Sequence, residues 1–268
     1  MKLATTLALC LGIAQQASAF QDWIDRTIAH TGEPIGKEID YNGLTLYVSK
    51  PACKKPKKTA VIYITDVFGI NLTENKLLAD SFSRAGYLTI TPDMFAGQPA
   101  PADLNTPGFN ASAFLAAHGP AVADPKIDDA IAYARASSSC GNGGGDGDCK
   151  IALTGYCYGG RYAFRFVAGG KGGDVAFAAH PSALEEGEVE AVEGPASVAA
   201  AEIDDLLPAQ QRHRIEELLL QTGQPYQMSL YSGTFHGFGV RANVSDPEQK
   251  FAKETAFLQA VHWFDSWA

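Results

Sequence analysis

Metal-ligand motifs and basic runs are missing from this sequence of 268 residues. It has no Cys-x-x-Cys pair, no His-Glu-x-x-His motif and no His/Cys cluster at zinc spacing, so we expect no metal site. The formal net charge is −9, and the one short lysine-rich run, residues 54–58, is too small for a nucleic-acid footprint. With 46% hydrophobic and 19% charged residues, the composition is that of a globular protein and excludes a disordered chain.

Long apolar runs are also scarce, and we expect no membrane span. The stretch from Leu3 to Ala14 is apolar apart from two threonines, but it is shorter than the roughly 20 residues that cross a bilayer. Lys2 precedes it and Ala17-Ser18-Ala19 follows it, which is the pattern of a cleaved signal peptide. We therefore predict a signal peptide over residues 1–19 and secretion of residues 20–268. A buried first helix, or a plastid presequence in which Ala-Ser-Ala precedes Phe20, is the alternative.

The five cysteines and the Asn-x-Ser/Thr triplets bear on the same route. Cys10 belongs to the predicted signal peptide, and Cys140 and Cys149 bracket a Gly/Asp loop that a disulfide could close in an oxidising compartment. The other two cysteines, Cys53 and Cys157, are left without a predicted disulfide partner. Candidate N-glycan sites are Asn71, Asn110 and Asn243.

Strand-like and helix-like segments alternate from about residue 44 to the end. We predict strands at 44–49, 59–65, 87–91, 150–154, 174–179, 195–201 and 227–232. We predict helices at 71–85, 122–138, 158–168, 208–222 and 247–267. Such alternation is typical of a single α/β domain with a mostly parallel sheet and helices on both faces. Residues 97–120 are interpreted as an excursion or lid, and the acidic residues 185–193 as a solvated surface segment.

The segment Gly155-Tyr156-Cys157-Tyr158-Gly159-Gly160 is the sharpest chemical signal. It lies between a predicted strand and a predicted helix, where glycines allow a sharp turn that forces the central side chain outward. The helix after Cys157 directs its N-terminal dipole at the sulfur and favours the thiolate. We interpret Cys157 as a nucleophile and the Tyr158 N–H as an oxyanion donor. A glycine-rich turn around an inert cysteine is the alternative.

A nucleophile in this setting needs an acid and a base that follow it in the chain. His236 lies in a small-residue loop after the last predicted strand and is the candidate base. His180 ends an earlier strand and is assigned to the wall of the pocket. Asp204 and Asp205 are both candidates for the acid, and one of them is expected to cap the helix near Pro208.

These residues resemble the dienelactone hydrolases, α/β-hydrolases with a Cys-His-Asp triad. The resemblance extends from about Thr31 to Trp267. The matching segments are 65–71 (TDVFGIN), 91–95 (TPDMF), 155–160 (GYCYGG), 180–182 (HPS), 199–204 (AAAEID) and 235–238 (FHGF). The resemblance implies the α/β-hydrolase fold, assigns the acid to Asp204 and makes the Val67 N–H a second oxyanion donor.

Three positions depart from the bacterial members of that family. Asp66 stands where they carry a glutamate that contacts the resting thiol. Gly97 aligns with an arginine that holds the substrate carboxylate, and Arg241 is displaced by one residue from a second such arginine. Arg161, on the first turn of the helix after Cys157, is a candidate replacement, with a salt-bridged arginine as the alternative.

The predicted function is hydrolysis of a small ester or lactone through a thioester on Cys157, without a cofactor. A thioesterase or a carbohydrate-ester hydrolase on the same scaffold is one alternative. The other is a non-catalytic secreted binding protein whose thiol has been oxidised, which a pairing of Cys157 with Cys53 would support.

Overall fold

The computed structural model describes residues 16, 18–53, 56–137 and 149–268. Most of the predicted signal peptide and Cys140 therefore lie outside the described residues. In the described part, no helix is long and apolar enough to cross a membrane.

The described strands form one eight-stranded sheet of order β1-β2-β4-β3-β5-β6-β7-β8. They are β1 Lys37–Tyr41, β2 Leu44–Ser49, β3 Thr59–Ile64, β4 Leu88–Pro92, β5 Lys150–Tyr156, β6 Val175–Ala179, β7 Ala196–Ile203 and β8 Tyr226–Phe235. The β1–β2 and β2–β4 pairs are antiparallel, and every pair from β4 to β8 is parallel. Consequently the carboxyl ends of β3, β5, β6, β7 and β8 meet at one edge of the sheet, where ligands bind in open α/β sheets.

Helices cover both faces of this sheet. The helix α1 covers residues 18–27. A 3-10 turn at Gly69–Asn71 leads into α2 Thr73–Arg84, followed by α3 Ala111–Ala117, α4 Pro120–Ala136, α5 Tyr158–Phe166, α6 Glu186–Glu190, α7 Ala209–Thr222, α8 Phe238–Arg241 and α9 Pro247–Trp267.

The central strands separate two hydrophobic cores. All six residues of β3 are buried, which agrees with its nearly continuous apolar sequence. Because successive side chains point to opposite faces, Ile62 and Ile64 pack into one core while Val61 and Tyr63 pack into the other. Helices α4, α5 and α7 contribute to the first core and α2 and α9 to the second. The predicted fold, a mostly parallel sheet with helices on both faces, is confirmed.

A strand and a helix differ from the prediction. The edge strand β1 was not predicted, because its sequence KEIDY is half polar and mostly exposed. The Asn42-Gly43 pair, with φ of 55° and 82°, makes the tight turn to β2. Because Asn-Gly is a favoured pair in two-residue β-hairpin turns, it could have predicted β1. In addition, the excursion over 97–120 contains the helix α3.

Among the described cysteines, Cys53 and Cys157 are free, so the pairing between them that would have supported an oxidised, non-catalytic protein is not formed. Cys149 is disulfide-bonded. Its predicted partner, Cys140, falls outside the described residues.

Candidate active site

Cys157 lies at a sharp turn between β5 and α5. Its φ of 55° and ψ of −117° are rare for a residue with a side chain. Two glycines permit this geometry: a Cβ on Gly155 would collide with the Gly159 carbonyl, and one on Gly159 would collide with the Ile64 carbonyl. The chain between β5 and α5 is therefore so close to its neighbours that only glycine fits at both positions.

The backbone around Cys157 is held by the segment that follows β6. The Cys157 N–H donates to the Ala179 carbonyl at 3.1 Å, and the Ser182 N–H donates to the Cys157 carbonyl at 3.1 Å. The Cys157 Sγ lies 3.6 Å from the Ser182 Oγ. The sequence did not identify Ser182 as a neighbour of the sulfur, although the His-Pro-Ser segment is among those that resemble the family. Its place at a carboxyl-terminal strand end was the available signal.

His236 and Asp204 come together from the loops after β8 and β7. The His236 Nδ1 lies 2.9 Å from each Asp204 carboxylate oxygen. The Asp204 side chain is fully buried, and its Oδ1 also accepts the N–H groups of Leu206 and Leu207 at 2.9 and 3.2 Å. Of the two candidate acids, Asp204 is thus the one that faces His236, whereas Asp205 is exposed. Neither caps α7, since the N-cap residue is Pro208.

The electrostatic setting of His236 favours its protonated form. Burial lowers its pKa, but the bond to Asp204 and the nearby Cys157 side chain outweigh this and raise the pKa to about 10. The other ring nitrogen, Nε2, is buried and has no hydrogen-bond partner among the described residues. Since Asp204 occupies Nδ1, Nε2 is the atom left to exchange a proton.

His180 packs against His236, but its pKa is shifted in the opposite direction. Its ring is fully buried, with its centroid 5.0 Å from the His236 ring. Neither ring nitrogen has a hydrogen-bond partner among the described residues, and burial lowers its pKa well below the ordinary value. His180 is therefore a neutral packing partner behind His236; it was expected in the wall of the pocket and is absent from the lining of the cavity above Cys157.

Asp66 faces Arg241, and its hydrogen-bond partners do not include the thiol. Its Oδ2 accepts from the Arg241 Nε at 3.3 Å, and its Oδ1 accepts from the Asn75 Nδ2 at 2.8 Å and the Phe68 N–H at 3.2 Å. The guanidinium also lies 4.5 Å above the Phe68 ring. Burial raises the pKa of Asp66 against the lowering effect of these donors. Asp66 and Arg241, predicted as separate modulating residues, form one ion pair in which Asp66 is fully buried and Arg241 is partly exposed.

Arg161 is engaged elsewhere, which corrects the expectation that it binds a substrate anion. Its Nε donates to Glu188 Oε1 at 2.8 Å and its Nη2 to Glu185 Oε1 at 2.5 Å, so the salt-bridged alternative is what the structure contains. Glu188 is only 8% exposed and also accepts from Arg165 at 3.4 Å. The acidic stretch is thus not wholly solvated, because the Glu188 carboxylate is buried and binds two arginine side chains of α5.

An apolar cavity of about 210 Å³ opens above Cys157 and His236. Val67, the residue predicted as an oxyanion donor, and Arg241 are on its border. Nonpolar side chains make up most of its wall; they include Phe68, Leu104, Phe109, Phe114, Leu115 and Leu206. Sequence reasoning did not predict this wall, which comes largely from the 97–120 excursion. In the described residues, no group of three or more His, Cys, Asp or Glu side chains is placed to hold a metal ion.

A buried cysteine at a strained strand–turn–helix junction, with a histidine and an aspartate from later strand ends, defines an α/β-hydrolase site. The comparisons with known proteins agree. The model of the dienelactone hydrolase family matches residues 44–268. The chain belongs to the dienelactone hydrolase family, and it is an ester or lactone hydrolase.

Individual relatives cover nearly the whole chain. The hydrolase pyvD of Aspergillus violaceofuscus is 37% identical over 238 residues, which are 89% of this chain and 93% of that protein. Dienlactone hydrolase 1 of Gibberella moniliformis is 30% identical over 242 residues, 89% of this chain and 90% of that protein. A solved dienelactone hydrolase-like promiscuous phosphotriesterase from metagenomic libraries superposes with a TM-score of 0.67 at 13% identity, covering 88% of this chain and 99% of that one. At that identity, the superposition speaks for the fold alone.

Proposed function

We propose that the protein cleaves a small ester or lactone by a Cys157–His236–Asp204 triad and a covalent thioester. The observation that carries the proposal is the convergence of three strand ends. Cys157 is held at a strained turn, His236 is oriented by two 2.9 Å contacts to Asp204, and both Cys157 and His236 border the apolar cavity.

In the first half-reaction, the Cys157 Sγ attacks the substrate carbonyl carbon while its proton goes to His236 Nε2. The raised pKa of His236 reflects stabilisation of the imidazolium that this proton transfer forms. The carbon–sulfur bond forms and the carbon–oxygen bond to the leaving group breaks. The leaving oxygen receives the proton from Nε2. In the second half-reaction, His236 takes a proton from water, the resulting hydroxide attacks the thioester carbon, and the thiol is regenerated by that proton.

The oxyanion formed in each half-reaction needs donors that the backbone can supply. Tyr158 is the first residue of α5, so its N–H has no partner within the helix. Val67 follows β3 and borders the same cavity. We assign the oxyanion site to these two N–H groups, each typically worth about 3–4 kcal/mol in the transition state.

Hydrolysis of a small activated ester, with and without prior iodoacetamide treatment, tests this mechanism. We expect alkylation to abolish turnover, Cys157→Ala to lower kcat at least about 10³-fold, and a rapidly quenched reaction to show the acyl mass on the peptide that carries Cys157. Cys53→Ala is the matched control, because Cys53 is the other free thiol among the described residues and is exposed. Turnover that survives in Cys157→Ala would contradict the mechanism. A panel of thioesters and acetylated sugars separates the alternative substrate classes.

We further propose that the protein enters the secretory pathway and loses residues 1–19. The disulfide at Cys149 supports an oxidising compartment. Asn71, Asn110 and Asn243 are all exposed, which supports their assignment as N-glycan sites. Expression in a eukaryotic host is expected to release a protein that begins at Phe20 and whose mass falls after treatment with an N-glycosidase. Retention in a plastid would favour the alternative presequence.

A further inference from the structure

We propose that the cavity above Cys157 selects an uncharged, apolar acyl group of about the size of one aromatic ring, and excludes acyl groups that carry a carboxylate. This inference rests on the proposed function, because it assigns the cavity to the acyl part of the substrate. It names the substrate class from three features of the site: the chemistry of the wall, the volume and the charge balance.

The wall is apolar and firmly attached to the nucleophile's own helix. Phe109 and Phe114 pack with ring centroids 5.6 Å apart, and Phe114 and Leu115 both lie on α3. The hydroxyls of Tyr158 and Tyr162 donate to the His118 carbonyl, just after α3, at 2.7 and 3.0 Å. Because Tyr158 adjoins Cys157, these bonds fix the aromatic wall relative to the sulfur. The pocket is therefore preformed for an apolar group.

The volume sets the size of that group. A cavity of about 150 Å³ lined by Leu, Ile and Phe side chains holds a benzene molecule. The cavity of about 210 Å³ found in this protein exceeds that by a few carbon atoms. An arylacetyl group or a linear acyl chain of about six carbons fits, whereas a fused-ring acyl group does not.

The charge balance opposes an anionic substrate. Apart from His236, whose charge is balanced by Asp204, Arg241 is the one cationic side chain among the described residues that line the cavity. Its charge is matched by Asp66, whose side chain is fully buried and 3.3 Å away. A substrate carboxylate would have to compete with Asp66 for the guanidinium and would be desolvated against phenylalanine and leucine side chains, which is costly for a charge.

Esters of one small leaving group, 2,2,2-trifluoroethanol, test the inference, because that group is too small to occupy the wall in place of the acyl part. Release of trifluoroethanol is followed by fluorine NMR for the phenylacetate, the hexanoate, the acetate and the glutarate half-ester, and each rate is divided by its rate with hydroxide. We expect kcat/KM for the phenylacetate and hexanoate to exceed that for the glutarate half-ester at least 30-fold and that for the acetate at least tenfold. A half-ester that reacts as well as the hexanoate would overturn the inference.

A charge placed on the rim gives an independent test. Leu104 lines the cavity and is 43% exposed, so a polar head at this position remains solvated. Leu104→Lys is expected to raise the half-ester's kcat/KM, relative to that of the hexanoate, about tenfold over the matched variant Leu104→Met. Equal ratios in the two variants would mean that the acyl group does not lie against this wall.

Binding to the inactive variant separates this inference from the mechanism. If no ester is turned over, the proposed function fails, but saturation-transfer NMR on Cys157→Ala still compares the phenylacetate and the half-ester. We expect saturation transfer to the phenyl ring and none to the half-ester. Preferential binding of the half-ester would refute the substrate class whatever the catalytic result.

Discussion

Two aspartates at the carboxyl-terminal edge of the sheet are alike in burial and different in use. Asp66 follows β3 and Asp204 follows the bulged end of β7, and both side chains are fully buried. Each accepts backbone N–H groups from the next few residues: Phe68 donates to Asp66, and Leu206 and Leu207 donate to Asp204. They differ in the cation that each one faces.

The partner determines what each carboxylate can do. Asp204 faces the imidazole of His236, which can exchange a proton with the reacting groups, whereas Asp66 faces the guanidinium of Arg241, which donates hydrogen bonds but accepts none. The first pair is therefore suited to proton transfer, and the second to fixing a permanent charge at the rim of the cavity. Similar buried carboxylates at strand ends thus have a chemical role only through a partner from a distant part of the chain.

Removing the charge at Asp204 is the change that would most clearly separate the two pairs. Asp204→Asn keeps the shape but presents an amide to His236 Nδ1, so the imidazole is no longer held in the required tautomer and the imidazolium is not stabilised. We expect kcat to fall about 10³- to 10⁴-fold, as with the analogous change in a serine-protease triad. Steady-state kinetics on a small ester measures this. Asp205→Asn, one residue away and exposed, is the control and should retain activity within about twofold.

The same change at Asp66 is expected to have a much smaller effect. Asp66→Asn removes the partner of Arg241 but leaves the triad intact, so the loss corresponds to about one charge-assisted hydrogen bond at the cavity rim, or about tenfold in kcat/KM. A loss as large as that for Asp204→Asn would show that Asp66 takes part in the chemistry, and the contrast drawn between the two pairs would be wrong.

The pH dependence of stability sharpens the comparison further. The pKa of His236 is raised from 6.5 to about 10 in the folded protein, although burial alone would lower it. Its stabilising interaction with Asp204 is therefore complete below pH 6.5 and is lost as the pH rises towards 10. Urea unfolding of the wild type and of Asp204→Asn should give a difference in unfolding free energy that is large near pH 6.5 and shrinks by pH 10. A difference that is constant over this range would contradict the assigned pKa shift.

A third carboxylate, Glu188, gives the smallest expected effect on activity. It is paired with Arg161 on the first turn of α5, outside the lining of the cavity. Arg161→Gln should lower the urea midpoint, because Glu188 loses one of its two arginine partners, while kcat/KM changes by less than about twofold. A loss of tenfold or more in kcat/KM, with the midpoint unchanged, would restore Arg161 as a substrate-binding residue.

Much of the site was predictable because its signals are local. Cys157 could be assigned from the glycines beside it, since the turn between β5 and α5 leaves no room for larger residues. His236 could be assigned from its position after the last strand. Asp204 could be chosen over Asp205 only through the resemblance to a family, because two adjacent aspartates look alike until the loop after β7 turns one inward.

Contacts between segments far apart in the chain were not predictable in the same way. Arg241 lies 175 positions from Asp66, and nothing near either residue indicates the other. Glu188 was read as solvated because an acidic run is typical of a surface, yet the packing of α6 against α5 buries this one carboxylate. The apolar wall arises from the segment over 97–120, whose rich content of proline and alanine predicted irregular structure and gave no indication of what it would cover.

The sequence by itself determined the class of fold, the position of the nucleophile and the loop that carries the base. Alternating apolar runs, strand–helix spacing and glycine requirements act over a few residues, so they can be read without knowing which strands are neighbours. The tertiary structure decided which carboxylate faces the histidine, which arginine is neutralised and which side chains enclose the substrate. Those outcomes depend on the order of strands in the sheet, because only that order brings the ends of β3, β5, β6, β7 and β8 to one edge.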